Sequence, residues 1–223
     1  MDKMKGSKLL PEIYEKLFAC YGPQNWWPAD EPFEVIIGAI LTQSAAWSNV
    51  EKAIINLKTA NALSAETLRR IPESELAQLI YPCGYYNAKA VKLKAIARWF
   101  GERFNDDLDS LFKADIESLR QQLLSVHGIG HETADSIILY AAGKPVFVID
   151  AYTRRIIDRI GLSSGKDNYD SYQALFMRNL LLDVQLFNEY HALLVCLGKN
   201  VCRKKPLCDT CCLKGMCKFQ QDL

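Results

Sequence analysis

Apolar residues recur at helical spacing along almost the whole chain, and this periodicity is what most restricts the possible folds. Residues three or four positions apart share one side of an α-helix, whereas a half-buried strand alternates at every second position. Val50, Ile54 and Leu57 follow the helical period, and no segment alternates convincingly. Residues 145–149 are better interpreted as a buried connection than as a strand. The sequence therefore predicts an all-α protein.

The predicted helices are of moderate length. The first carries an apolar stripe of Leu9, Ile13, Leu17 and Phe18. Residues 35–41 are apolar on every side, which predicts a fully buried helix. Ser64 and Ser74 are placed to cap two short helices, because serine side chains accept hydrogen bonds from backbone N–H groups at helix starts. Further helices are predicted at residues 133–142, 151–160, 169–182 and 187–197.

The composition is that of an ordinary globular protein, with 49% hydrophobic and 24% charged residues. The longest apolar runs, such as residues 35–41, are far too short to cross a bilayer, and the N-terminal sequence MDKMKGSK leads into a helical pattern without a signal-peptide core. We therefore expect a cytoplasmic protein with no membrane partner. Because the net charge is only +1, binding to a polyanion must depend on local groups such as the basic residues 203–205.

Two glycines one residue apart, Gly128 and Gly130, predict a hairpin before a helix, and Asp150 follows a later apolar run. Glycines permit backbone angles closed to other residues and leave amide N–H groups uncovered, so this turn can approach a phosphate. Asp150 is expected at the edge of the apolar interior, where a carboxylate can act on a substrate that the hairpin holds. The residues alone are equally consistent with a simple turn and with an aspartate that only caps the next helix.

Four cysteines near the C-terminus, Cys202, Cys208, Cys211 and Cys217, have the spacing C-x5-C-x2-C-x5-C. An intracellular protein is not expected to need a disulfide framework, so a dense cysteine cluster is better interpreted as a metal site. Thiolate ligands suit both an iron–sulfur cluster and a tetrahedral zinc ion, and the spacing does not separate the two. Cys212, next to Cys211, is an alternative third ligand.

The segment around the hairpin resembles the helix-hairpin-helix DNA glycosylases related to endonuclease III. The family signature is L-x-G-x-G-x-x-T-A, then an apolar helix, then V-D, and the corresponding residues here are 126–134 and 149–150. Residues 32–43, which end in G-A-I-L-T-Q, and residues 84–90, G-Y-Y-N-A-K-A, resemble two further family segments. The cysteine cluster resembles the family's iron–sulfur loop, so the resemblance covers most of the chain.

The resemblance implies a two-domain fold of the endonuclease III type. Residues 28–145 are expected to form a six-helix barrel domain that contains the helix-hairpin-helix. Residues 1–27 and 146–223 are expected to form a helical domain with an iron–sulfur loop at residues 202–217. The implied cleft, with Asp150, lies at the junction. The implied partner is double-stranded DNA that contains a damaged base, bound by a monomer.

The resemblance also implies roles for individual residues. Asp150 is the implied catalytic carboxylate, which stabilises the positive charge that develops as an N-glycosidic bond breaks and activates water. The implied cofactor is a [4Fe–4S] cluster, with zinc as the alternative, although this chain has five residues in the first cysteine gap where the family usually has six. The implied DNA-binding hairpin consists of His127, Gly128, Ile129, Gly130, His131, Glu132 and Thr133.

Glu132 is a departure from the bifunctional members of this family, which carry a lysine immediately before the Thr-Ala pair. That lysine attacks the sugar as a Schiff-base nucleophile and so permits strand cleavage. A carboxylate cannot form a Schiff base. We therefore predict a monofunctional glycosylase that leaves an abasic site, without lyase activity.

Three tryptophans indicate the class of base that the protein removes. Trp26 and Trp27, in an N-W-W-P segment, and Trp47, four residues after Gln43, resemble the 3-methyladenine glycosylase branch. Indole rings stack on a cationic alkylated purine with a cation–π contribution of roughly 1 kcal/mol, although paired tryptophans are also common core residues. Gln43 and Ser44 lie where the family inserts a polar side chain into the gap left by the flipped nucleotide.

The favoured function is therefore release of an alkylated purine such as 3-methyladenine. One alternative is an endonuclease III-type glycosylase for oxidised pyrimidines or mismatches, and another is a non-catalytic DNA-binding protein that uses the same hairpin. Two further residues are assigned structural roles: Lys89 is expected to shape the barrel and lie near a phosphate, and His191, on an apolar helix, to be a satisfied core residue.

Overall fold

The protein is helical throughout the part of the chain that the computed structural model describes, residues 3–163 and 168–221, and no strand occurs there. By its internal contacts the chain divides into two compact units. The central unit is residues 27–144, and the terminal unit is residues 1–26 with 145–223. Within the described ranges, no helix is long and apolar enough to cross a membrane. The prediction of an all-α protein is confirmed.

Short connections join the helices, and single 3-10 turns occur at Tyr81–Cys83, Cys208–Thr210 and Lys214–Met216. In chain order the α-helices are α1 (Lys3–Tyr21), α2 (Pro32–Leu41), α3 (Trp47–Thr59), α4 (Ala65–Arg70), α5 (Glu73–Leu79), α6 (Tyr86–Phe104), α7 (Leu108–Lys113), α8 (Ile116–Leu124), α9 (His131–Ser136, continued by a π-helical turn at Ile137–Ala141), α10 (Ala151–Ile160), α11 (Tyr169–Met177), α12 (Val184–Asn200) and α13 (Lys218–Gln221).

Helix α2 is the buried helix of the central unit. Every residue from Glu34 to Leu41 is buried, because α2 packs against α3, α6, α9 and the π-helical turn. A helix with neighbours on all sides has no polar face, which explains the unbroken apolar run that predicted it.

In the terminal unit, aromatic rings hold the connection before α10 against α11 and α12. Phe147 stacks on Phe176 with ring centroids 3.8 Å apart, and it meets the edge of Phe187 at 5.3 Å. The Tyr190 hydroxyl donates a hydrogen bond to the Leu10 carbonyl at 2.9 Å, which fastens α1 to α12. Residues 145–149 are thus a buried connection, as predicted.

Two local predictions are wrong. Ser74 does not cap α5, since that helix begins at Glu73 after Pro72, whose ring already fixes the backbone angle that starts a helix. Phe18 is exposed, because the buried side of α1 carries Leu10 together with Ile13 and Leu17, the two members of the predicted stripe that are buried. Ser64 does cap α4 by accepting a hydrogen bond from the Thr67 N–H at 3.2 Å.

The predicted helix at residues 169–182 is shorter in the structure and ends at Met177. The helix predicted at residues 187–197 begins earlier, at Val184, because Asp183 accepts a hydrogen bond from the Leu186 N–H at 2.7 Å and so caps it.

Lys89 is buried inside the central unit, so the expectation that it lies near a phosphate is wrong. Its side chain is 2% exposed, and its ammonium group donates hydrogen bonds of 2.9 Å to the carbonyls of Leu41 and Cys83. These carbonyls lie at the end of α2 and in the 3-10 turn before α6. Burial lowers the pKa of Lys89. The lysine therefore satisfies two buried acceptors that no helix satisfies.

Replacing Lys89 by methionine is expected to lower the free energy of unfolding by about 2–4 kcal/mol, because both carbonyls lose their donor while remaining buried. Urea denaturation of the purified protein measures the change. Arg98→Met, at an exposed position of the same helix, is the matched control and is expected to cost less than about 0.5 kcal/mol. Equal effects of the two substitutions would show that the Lys89 contacts do not stabilise the fold.

Candidate functional site

The hairpin between α8 and α9 depends on glycine at position 128. Gly128 has a φ of +84°, and a Cβ there would lie 2.3 Å from Lys92 Cγ, so any other residue would be strained and would displace the Lys92 side chain. The Ile129 N–H donates to the Val126 carbonyl at 3.1 Å, which closes the turn, and Ile129 is buried. Gly130 precedes the first residue of α9. Exposed positions in the turn and the first helical residues are His127, Gly130, His131 and Glu132.

Gln43 braces this hairpin from the loop after α2. Its Nε2 donates hydrogen bonds of 3.0 Å to the Gly128 carbonyl and the Thr133 hydroxyl, and its Oε1 accepts one from Lys92 Nζ at 2.5 Å. Ser44, the next residue, is exposed with a φ of +53°. Gln43 and Ser44 were both predicted to enter DNA. Gln43 is hydrogen-bonded to the hairpin, whereas Ser44 is exposed.

An ion pair joins the two helices of the hairpin. Arg120 on α8 donates to both carboxylate oxygens of Asp135 on α9, at 2.8 and 3.2 Å, and Asp135 is fully buried. The Arg120 guanidinium also lies 2.9 Å from His131 Nδ1. Two parallel hydrogen bonds of this kind fix geometry as well as charge. The hairpin is therefore held rigidly at its base.

The predicted tryptophans lie in both units. In the central unit Trp27 meets Trp47 edge to face with ring centroids 5.3 Å apart, and it meets Tyr140 at the same distance. A Cβ at Gly38 would lie 2.9 Å from Trp27 Cζ2, so α2 passes directly under this ring. Trp26 belongs to the terminal unit, where it borders an open cavity of about 520 Å³.

Asp150 caps α10. Its carboxylate accepts a hydrogen bond from the Thr153 N–H at 2.7 Å, and its side chain is 13% exposed. His191 of α12 places Nε2 at 3.9 Å from Asp150 Oδ2, beyond direct hydrogen-bond distance. Burial lowers the pKa of His191, and the Asp150 charge opposes that effect. The helix-capping role considered for Asp150 is present, and the His191 imidazole lies beside the carboxylate.

The four predicted cysteine ligands border one cavity of about 20 Å³ in the terminal unit. Arg159, which also lines it, donates a hydrogen bond to Cys202 Sγ at 3.2 Å and another to the Arg203 carbonyl at 2.7 Å. Within the described residues, no three His, Cys, Asp or Glu side chains converge closely enough to hold a single metal ion. The loop nevertheless places all four cysteine residues around one common space.

Cys212 does not border this cavity. Burial, together with a hydrogen bond to Cys20, raises the pKa of the Cys212 thiol to about 12. Cys20 and Cys196 also lie near the buried Tyr21 hydroxyl, whose pKa is raised chiefly by burial and further by these thiols. The cysteines outside the cluster therefore include a second group, between α1 and the cluster loop, that their scattered positions in the sequence did not indicate.

Tyr85 is a candidate site residue that the sequence interpretation did not single out. It is 74% exposed and has a left-handed backbone with a φ of +47°, directly after Gly84 at +63°. Such a conformation is unfavourable for a bulky residue and is often retained for function. A large aromatic residue beside a turn glycine is the signal that could have found it.

The comparisons with known proteins agree with this arrangement. The sequence pattern of the HhH-GPD superfamily base excision DNA repair proteins matches residues 37–180. A protein of Methanocaldococcus jannaschii that is assigned as a DNA repair glycosylase is 44% identical over 218 residues, which cover 96% of this chain and 99% of the relative. Endonuclease III of Thermotoga maritima is 30% identical over 88% of this chain and 87% of its own length.

Solved structures show the same fold. Endonuclease III in a non-covalent complex with DNA superimposes with a TM-score of 0.83 at 19% identity, over 97% of each chain. Helicobacter pylori 3-methyladenine DNA glycosylase (MagIII), bound to 1,N6-ethenoadenine, gives a TM-score of 0.74 at 28% identity, over 89% of this chain and 98% of that one. The predicted endonuclease III-like fold is confirmed. The chain therefore belongs to the HhH-GPD superfamily of base excision DNA repair proteins and is a DNA glycosylase of that family.

Proposed function

We propose that this glycosylase is monofunctional and releases alkylated purines such as 3-methyladenine from double-stranded DNA, leaving an abasic site. The observation that carries the substrate class is the contact between Trp27 and Trp47, whose ring centroids lie 5.3 Å apart in the unit that contains the hairpin. Indole rings stack on a flipped base and favour a positively charged one. The solved relative that binds 1,N6-ethenoadenine supports the same class. Trp26 lines a cavity of the terminal unit and is not part of the contact on which this proposal rests.

Asp150 is proposed as the catalytic residue. Departure of the base leaves positive charge on the sugar, and a nearby carboxylate stabilises that charge and can take a proton from the attacking water. The Thr153 N–H holds the carboxylate in place at 2.7 Å. Burial lowers the pKa of His191 beside it, which disfavours a competing positive charge. An alkylated purine already has a weakened glycosidic bond, so less assistance to the leaving base is required.

Glu132 supports hydrolysis without strand cleavage. It is the exposed second residue of α9, and the resemblance of the hairpin motif assigns it to the position of the nucleophilic lysine in bifunctional members of the family. A carboxylate cannot form the Schiff base that strand cleavage requires. Lys92 of α6, whose side chain lies beside Gly128, donates its ammonium group to Gln43 at 2.5 Å.

The hairpin residues 127–133 are proposed to hold the DNA backbone, since several of them are exposed around an uncovered turn. Tyr85 joins Gln43 and Ser44 as a residue proposed to fill the gap left by the flipped nucleotide. Because the Gln43 amide is bonded to the hairpin through its nitrogen and to Lys92 of α6 through its oxygen, insertion of Gln43 requires that these bonds break. The exposed Tyr85 has no such requirement.

Cys202, Cys208, Cys211 and Cys217 are proposed to hold a [4Fe–4S] cluster. They fit the group because all four border one cavity and Arg159 donates to the Cys202 sulfur. In such a cluster each thiolate binds a different iron atom, whereas zinc needs four ligands at about 2.0–2.3 Å from one ion. When bound, the cluster cross-links the C-terminal loop and presents the basic residues 203–205 to phosphates.

The proposed function is tested with duplexes that carry 3-methyladenine, 7-methylguanine, 1,N6-ethenoadenine, thymine glycol or a T·G mismatch, each incubated with the protein and analysed with and without alkali. We expect release of the alkylated purines and strand breaks only after alkali. Release of thymine glycol or mismatched thymine instead would favour the endonuclease III-type alternative, and breaks without alkali would overturn the monofunctional assignment. Binding without any release would leave the non-catalytic alternative.

A further inference from the structure

Trp47 has a charged partner one helical turn away. It is the first residue of α3, and its indole Nε1–H donates a hydrogen bond to Glu51 Oε1 at 2.7 Å. Residues four positions apart on a helix lie one above the other, which makes this contact a property of α3 alone. A hydrogen bond from a neutral donor to a carboxylate is shorter and stronger than one between neutral groups. The Glu51 contact therefore fixes where the indole nitrogen points.

A second contact fixes the plane of the same ring. Trp27 meets Trp47 at an interplanar angle of 89°, and Trp27 is itself held between Tyr140 and the backbone of α2 at Gly38. The Trp47 ring is thus oriented by an aromatic neighbour as well as by Glu51. Glu51 is exposed and takes no part in the buried core of the central unit, so its contact with the indole is not needed to fill space.

We propose that Glu51 is a specificity-determining residue, which acts through Trp47 to favour cationic bases over neutral ones. A carboxylate that accepts the indole N–H increases the negative potential on the face of the ring, and a ring face attracts a cation through that potential. A neutral base stacks through dispersion and apolar contact, which the charge does not change. This inference rests on the proposed function, because it requires Trp47 to stack on the excised base.

The test compares Glu51→Gln with the wild-type protein on two substrates in the same duplex sequence: 7-methylguanine, which is cationic, and 1,N6-ethenoadenine, which is neutral. Glutamine keeps an oxygen acceptor for the indole but removes the charge. We expect single-turnover release of 7-methylguanine to fall about two- to fivefold and release of 1,N6-ethenoadenine to stay within about twofold. Glu66→Gln is the matched control, because Glu66 is an exposed glutamate of the same unit that pairs with Arg70 at 2.7 Å.

A second measurement detects the hydrogen bond between Glu51 and Trp47 independently of catalytic activity. The Trp47 indole proton resonance, assigned by its loss in Trp47→Ala, is expected to move upfield in Glu51→Ala and to stay unchanged in Glu66→Gln. If Trp47→Ala abolishes release of both bases while Glu51→Gln leaves their ratio unchanged, the specificity role is wrong and the proposed function stands. If the wild-type protein releases neither of these purines and no 3-methyladenine, the proposed function itself is wrong.

Discussion

Asp150→Asn is expected to slow base release by about 100- to 10,000-fold while the protein remains folded. Asparagine can still accept the Thr153 N–H and therefore still caps α10. Its neutral amide neither stabilises positive charge on the sugar nor takes a proton from water. Single-turnover release of 7-methylguanine at pH 7 measures the loss, and urea denaturation of the same preparation shows whether the fold survives.

Asp107→Asn is the matched control for this substitution. Asp107 caps α7 by accepting the Asp109 and Ser110 N–H groups at 3.1 and 3.3 Å, so the same chemical change is made at another helix start. We expect its release rate to equal that of the wild-type protein. A folded Asp150→Asn variant that kept more than about a tenth of the wild-type rate would reduce Asp150 to a helix cap.

The surroundings of Asp150 show where the sequence was informative and where it was not. The aspartate and the helix after it are adjacent in the chain, and both are found where the apolar period and the capping preference predict them. His191 lies 41 positions later on an apolar helix, so its pattern predicts only burial. It reaches Asp150 because α12 packs on α10, a contact between distant segments that periodicity does not encode.

The hairpin also combines a feature that the sequence predicts with contacts that it does not predict. Gly128 could be predicted because a positive φ has a direct sequence signature. The polar chain from Lys92 through Gln43 to Thr133 could not, since it joins α6, the loop after α2 and α9. Gln43 was expected to point into DNA, and only the folded arrangement reveals that it already has partners on the hairpin.

The cysteine spacing did not determine whether Cys211 or Cys212 is the third ligand. Cys211 and Cys212 are neighbours, and a ligand pattern alone allows either as the third ligand. Successive side chains point in different directions, so only one of the two can face the cavity; that residue is Cys211. Cys212 turns instead towards Cys20 of α1, which is nearly two hundred positions away in the sequence.

Cys211→Ser is therefore expected to remove the proposed cluster. Serine offers no thiolate, so the four-sulfur set around the cavity becomes incomplete. We expect iron content to fall from about four atoms per chain to less than half of that, with loss of the absorbance at about 400 nm. Because binding of a structural metal group contributes directly to folding, the thermal midpoint is expected to fall by about 10 °C.

Cys212→Ser makes the identical chemical change one residue later and is expected to keep both iron and absorbance, with a loss of stability under about 1.5 kcal/mol from the half-buried hydroxyl. The pair thus separates a ligand from a half-buried thiol by the same substitution at adjacent positions. Iron loss in Cys212→Ser with retention in Cys211→Ser would reverse the ligand assignment. If the wild-type protein is purified without added metal, is colourless and contains one zinc ion per chain, the assignment of an iron–sulfur cluster is wrong. The four thiolates would then hold zinc, which they also suit.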